Sequence, residues 1–198
     1  MGRKYVIFGL VALALLMSSI DSTIVAVALP AMRADLHTDI ALIGWTITAY
    51  QLGTLLVMPL AGKLSDELGR KRVFLAAVGL FTLSSFLCGF APNVYLLIVF
   101  RILQAIGGGA FLPSCTGIVA DPFAERRGQA IGLFSSIFPI GGIIGPNLGG
   151  VIVDTLSWRF VFYVNVPIGL AVIALTWLLY HPQQQRAART AFARSEWP

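Results

Sequence analysis

Apolar residues fill six long blocks of this chain, and short polar or basic segments separate them. The blocks cover residues 5–30, 41–61, 73–91, 94–120, 128–153 and 159–180. None alternates with the period of two that marks a half-buried strand, and each approaches or exceeds the roughly 20 residues an α-helix needs to cross a bilayer core. Blocks longer than about 25 residues must tilt or project beyond that core. The pattern predicts an all-α membrane protein, a bundle of six transmembrane helices. Connections are short. The longest are 31–40 and 62–72, and little more than Pro92 and Asn93 joins the third and fourth blocks, so neighbouring helices must be antiparallel. Residues 1–180 form the bundle in this reading. Residues 181–198 are polar, with Gln183–Gln185 and three Arg, and are expected to form a cytoplasmic tail or linker. Arg3 and Lys4 precede the first block as in a signal peptide, but its apolar run continues well past Ser18 and Ser19, which favours a retained span.

Composition narrows the class. Of 198 residues 57% are hydrophobic and 12% charged, against about 25% charged in an average soluble domain. A water-soluble globule of this size could not hide so much apolar surface, and a disordered chain would not carry it. The net charge of +5 does not point to nucleic acid, because the basic residues sit in clusters between spans rather than on one face. With the N-terminus in the cytoplasm, the inner segments hold Arg3, Lys4, Lys63, Arg70, Lys71, Arg72, Arg126, Arg127, Arg186, Arg189 and Arg194. The outer segments then hold only Arg33 and Arg159. That bias places both termini inside, as expected for a multi-pass protein of the plasma membrane. Cys88 and Cys115 lie within apolar runs and are expected to act as small fillers.

Charge inside lipid costs about 2.5–3.5 kcal/mol per residue on insertion scales, so it marks function or pairing. Asp21 lies nine residues before Pro30, and Arg101 seven residues after Val94. At about 1.5 Å per residue they sit about 13 and 10 Å below the same side of the bundle. Opposite charges at one depth can pair. The functional expectation is proton coupling, in which the Asp21 carboxylate exchanges its proton against substrate or against its Arg101 partner, across a water-accessible vestibule. The structural alternative is a static pair, or an Arg that snorkels outward. Tyr50, Gln51, Gln104, Asn147 and Asn165 are uncharged polar residues on the spans, either lining a cavity or bonding between helices.

Two glycine patterns stand out. The segment after the second block places Gly62, Asp66 and Gly69 ahead of Arg70, Lys71 and Arg72. Gly69 suits a left-handed helix end, and Asp66 can pair with the basic run. A positive-inside loop accounts for the three basic residues, whereas a conformational latch also accounts for the Gly/Asp/Gly spacing. In the fifth block Gly141, Gly145 and Gly149 recur at spacing four, with Gly142 and Gly150 beside them, predicting a bare stripe that lets a neighbouring backbone approach. Pro139 and Pro146 remove backbone donors and allow a bend.

These segments together resemble the major facilitator superfamily, and within it the branch of 14-helix drug:proton antiporters. Asp21-Ser-Thr-Ile-Val-Ala-Val-Ala-Leu-Pro30 is similar to that branch's first-helix signature, and Gly62–Arg72 to the superfamily's loop motif. Arg101-Ile-Leu-Gln104 followed by Gly107 is similar to the fourth-helix motif, whose Arg is implicated in proton transfer. Gly141-x-x-x-Gly145-Pro146-x-x-Gly149-Gly150 resembles the fifth-helix antiporter motif, and Trp158-Arg-Phe-Val-Phe-Tyr-Val-Asn165-Val-Pro167-Ile-Gly169 the entry to the sixth helix. Ala26 departs from the usual Asn and Ala105 from the usual Gly.

The resemblance implies one six-helix half of a major facilitator fold, the N-terminal half of a multidrug efflux antiporter. It would exchange protons for small lipophilic compounds by alternating access, with Asp21 and Arg101 facing the cavity and the Gly69–Arg72 loop holding the outward-open state. Its expected partners are the bilayer, protons, a lipophilic substrate, and either a C-terminal half or a second copy. The length admits a fragment, a truncated gene product or a pairing half. A proton-coupled metabolite transporter and a non-transporting membrane fragment are the competing readings. No cofactor or metal is expected: there is no Gly-x-x-x-x-Gly-Lys-Ser/Thr sequence, and His37 and His181 are isolated. An enzyme is disfavoured, since Ser135, Ser136 and Cys115 have no histidine at matching depth.

Overall fold

The computed structural model describes residues 2–120 and 127–179. All regular structure among them is helical: α1 (Gly2–Asp35), α2 (Ile40–Leu68), α3 (Arg70–Gly89), α4 (Val94–Ala120), α5 (Arg127–Ser135), α6 (Ile137–Thr155), α7 (Phe160–Tyr163) and α8 (Asn165–Leu179). Six spans are long and apolar enough to cross a membrane, because α5 with α6 and α7 with α8 each make one interrupted span. The interruptions follow from proline chemistry. Pro139 cannot donate to the carbonyl of Ser135, nor Pro167 to that of Tyr163, and the breaks fall at Ser136 and Val164. The tail at 181–198, Arg126 and the Cys115 side chain lie outside the described residues.

The connections are shorter than the polar segments suggest. α1 continues through 31–35, and His37 at φ 46° ends the turn that follows it. Asp39 then caps α2, its Oδ1 accepting from the Leu42 amide at 2.7 Å. The expected loop at 62–72 is a single break. α2 runs to Leu68, α3 starts at Arg70, and Gly69 between them has φ 95°, a conformation that L side chains rarely adopt. Polarity marks where a helix leaves the lipid, not where its backbone stops bonding. Asn93 caps α4 by accepting from the Leu96 amide at 3.0 Å.

α4 is central, packed on α2 and α3, while α1 packs on α6, and α8 on α1 and α3. Glycines permit these approaches. A Cβ at Gly107 would lie 2.7 Å from the Ala77 carbonyl, and one at Gly109 2.7 Å from that of Thr54. Ala105 is accommodated because Gly53 faces it, with only 2.8 Å available for a Cβ there. Two apolar cores result. One gathers Leu15, Met17, Phe74, Phe81, Phe111 and Val172. The other gathers Ile24, Met32, Ile43, Leu97, Trp158 and Phe162. On the outside, Leu55, Leu56, Leu60, Ile143 and Val151 are exposed, as the surface of a bilayer-spanning bundle requires.

Candidate functional site

Between the two cores lies a layer of polar side chains. Asp21 follows Met17 of one core and lies between Ile20 and Ile24 of the other, and Arg101 lies between Leu97 of the second core and Ala105 of the first. Their side chains meet directly. Arg101 Nη1 donates to Asp21 Oδ2 at 2.6 Å, with the two side chains 1% and 0% exposed. The depth estimate therefore places the pair correctly, but the expected water-accessible vestibule between them is absent in this conformation. Helices α1, α2, α3 and α4 close around the head groups and leave them in contact.

The cluster is wider than the pair. Arg101 Nη1 also donates to Gln104 Oε1 at 2.7 Å, and its Nε to the Thr46 carbonyl at 3.1 Å. The Tyr50 ring lies 4.0 Å from the guanidinium carbon, a desolvated cation–π contact of about 2 kcal/mol. Gln104 Nε2 donates to Asp21 Oδ1 at 2.9 Å and to Ser85 Oγ at 3.2 Å. Asn165 Nδ2 donates to the same two oxygens, at 2.8 and 3.0 Å. Ser85 in turn donates to the Phe162 carbonyl at 2.9 Å. Low dielectric strengthens each of these bonds and penalises any that is missing. Cys88 is more than a filler, since its thiol lies 3.8 Å from Gln104 Oε1.

The other polar residues divide. Tyr50 and Gln104 are buried in the cluster rather than lining an open cavity. Gln51 and Asn147 are exposed on the outside of the bundle, and Asn147 Nδ2 bonds its own helix at the Ile143 carbonyl, 2.7 Å away. Ser85 carried no signal in the sequence, because small hydroxyl residues such as Thr82, Ser84 and Ser85 are ordinary within an apolar run.

The glycine stripe is real but narrower than expected. A Cβ at Gly141 would strike Ser19 Oγ and one at Gly145 would strike Thr23 Oγ1, while one at Gly149 would lie 2.8 Å from Ile24 Cγ1. All three target residues belong to α1, the helix that carries Asp21. Gly142 and Gly150 face open space and are not part of the stripe. Each directly follows a stripe glycine and is turned about 100° from it. Pro146 lies within α6 and is exposed. At the α2–α3 break, Gly62 sits 3.8 Å (as a Cβ) from Pro113, and Asp66 Oδ1 is 3.8 Å from Arg70 Nη2. Lys71 is partly buried and Arg72 exposed. An exposed pair of this kind contributes little by itself.

A family model described as the Major Facilitator Superfamily matches residues 11–197. The chain belongs to that superfamily. Multidrug resistance protein 3 of Bacillus subtilis (strain 168) is 45% identical over 167 residues, covering 84% of this chain and 32% of that protein. The Multidrug resistance protein B homolog of Mycobacterium tuberculosis (strain CDC 1551 / Oshkosh) is 37% identical over 185 residues, covering 93% of this chain and 34% of that protein. Riboflavin transporter RibZ of Clostridioides difficile (strain 630) is 34% identical over 176 residues, covering 88% and 39%. The chain thus spans about a third of the length of these curated relatives. In fold it is similar to the xylose transporter XylE from E. coli in its inward-open conformation, with a TM-score of 0.76 at 17% identity, covering 88% of this chain and 48% of that one. This major facilitator chain is a multi-pass membrane protein of a transporter family.

Proposed function

We propose that the chain is the N-terminal six-helix half of a proton-coupled multidrug antiporter that exports lipophilic compounds from the cytoplasm by alternating access. The observation that carries this reading is the buried Asp21–Arg101 contact at 2.6 Å, which joins α1 to α4. A carboxylate and its counter-charge held in a shut, buried cluster form a two-state site: the proton and the guanidinium compete to neutralise the same carboxylate. Similarity to relatives named for multidrug resistance supports the substrate class. The glycine-bared α1–α6 contact lets the helix that carries Asp21 pack backbone to backbone on a proline-containing neighbour. The Asp66–Arg70 pair beside Gly69 is the latch in this reading. The outer faces of α2 and of the fifth span are the least buried of the six. A second six-helix half covers them, with the plasma membrane around both and the termini on the cytoplasmic side.

A metabolite transporter is the second reading, and the similarity to a protein named as a riboflavin transporter favours it. Proteoliposomes separate the two. With the chain reconstituted together with a complementary half, an imposed proton gradient is expected to drive accumulation of a lipophilic cation such as ethidium, and not of riboflavin. Riboflavin flux without ethidium flux would replace the drug reading. Ethidium movement indifferent to the gradient would remove proton coupling.

A further inference from the structure

Asn165 stands apart from the rest of the buried cluster. Its Nδ2 donates twice, to Asp21 and to Ser85, yet its Oδ1 is buried without a partner. The residue is 1% exposed, and leaving a buried carbonyl unpaired forfeits its hydration without a compensating bond.

The partners of Asp21 explain why such an atom would be kept. Arg101, Gln104 and Asn165 all donate to the carboxylate. That arrangement suits the anion and has no place for a proton. Oδ2 faces the guanidinium, which has donors only. A proton arriving from the aqueous phase therefore forms its O–H bond on Oδ1, where it points at two amide NH2 groups, and one of them must turn. Gln104 is held, because its Oε1 accepts from Arg101 Nη1 at 2.7 Å, and turning it would set an NH2 group against the guanidinium. Asn165 has no such restraint. Rotating its amide by half a turn presents the unpaired Oδ1 to the new Asp21 hydroxyl. One amide atom is unpaired in either orientation, so burial does not lock the side chain. Ser85 can then swing its hydroxyl from the Phe162 carbonyl to Asn165 Oδ1, which alters the bonding at the break between α7 and α8.

We infer that Asn165 is a positioning residue that reverses its side-chain amide when Asp21 takes up a proton, and so transmits the protonation state of α1 to the sixth span. This rests on the reading of Asp21 as the proton-carrying residue. The ionisable groups facing the carboxylate are Arg101 from α4, Tyr50 from α2 across the guanidinium, and Cys88 from α3 beside Gln104. The fifth span meets α1 through uncharged glycines, and the sixth contributes the neutral Phe162 and Asn165.

The chain has three asparagines, Asn93, Asn147 and Asn165, so selective side-chain labelling resolves the question. The chain in lipid nanodiscs, with 15N-asparagine and 13C-aspartate, would be followed by NMR from acidic to alkaline pH. The Asp21 carboxyl carbon is assigned by its loss in Asp21→Asn. The expected result is that the Asn165 Nδ2 resonances shift with the same midpoint as the Asp21 carboxyl carbon, while those of Asn93 and Asn147 stay fixed. The Asn165 shift disappears in Asp21→Asn. If Asp21 titrates and the Asn165 amide does not respond, the switch is wrong and the proton reading stands. If Asp21 shows no titration at any pH, both fail.

Discussion

Arg101→Leu should lower the stability of the bundle by about 3–5 kcal/mol, because it leaves the Asp21 carboxylate buried with no counter-charge. Asp21→Asn should do the same from the other side, stranding a guanidinium that is 1% exposed. The double variant Asp21→Leu/Arg101→Leu should recover part of the loss, since removing both charges also removes their desolvation. Recovery is incomplete because Gln104 and Asn165 each lose an acceptor. Unfolding in mild detergent, followed by helix signal against denaturant, measures all three. Two single variants as stable as the parent would show that the charges do not depend on each other. All three variants should insert and none should couple substrate movement to protons. Stability and coupling therefore separate in the double variant, which is firmer than the singles and equally inactive.

Gly145→Val should push α6 away from α1 and cost about 1–3 kcal/mol, the usual range for overpacking a close contact. The new Cβ would meet Thr23 Oγ1, and the Ile20 carbonyl only 3.1 Å away, so backbone as well as side chain resists it. Gly141→Val should behave alike, because Ser19 also donates across that seam to the Phe138 carbonyl at 2.8 Å. Gly142→Ala and Gly150→Ala should be neutral or slightly stabilising, since nothing lies within 4 Å of either Cβ and alanine favours the helix. Thermal midpoints of the four variants would test the seam. Equal effects at Gly142 and Gly145 would contradict the assignment of the packed face.

Much of this was legible from residue order alone. Six spans follow from apolar length, and the Asp21–Arg101 encounter from two intramembrane charges at one depth. The glycine stripe follows from a spacing of four, although not which helix it faces. What one dimension does not contain is rotation. Asn165 reaches Asp21, and Ser85 reaches Gln104 and Asn165, only because α3 and the sixth span turn those faces inward, and nothing in a single Ser or Asn encodes that turn. The same limit put Gly142 and Gly150 in the stripe, although about 100° of helical rotation separates each from the glycine before it. The vestibule failed for another reason. Charge in lipid demands either water or partners, and the sequence could not show that Gln104, Asn165 and the Thr46 carbonyl supply enough partners to exclude water. Ala105 illustrates compensation. Its extra methyl next to the Arg101 turn is absorbed by Gly53 on a different helix.

The central claim is that Asp21 carries the proton that substrate displaces. Its most direct test is proton release on substrate binding. The purified transporter in weakly buffered detergent solution, with a pH-indicator dye, receives a saturating lipophilic cation. The account predicts about one proton released per substrate bound by the parent, following the linkage of binding to protonation, and none by Asp21→Asn, which binds the cation without acidifying the medium. Undiminished release from Asp21→Asn would place the exchanged proton on another group and contradict the account.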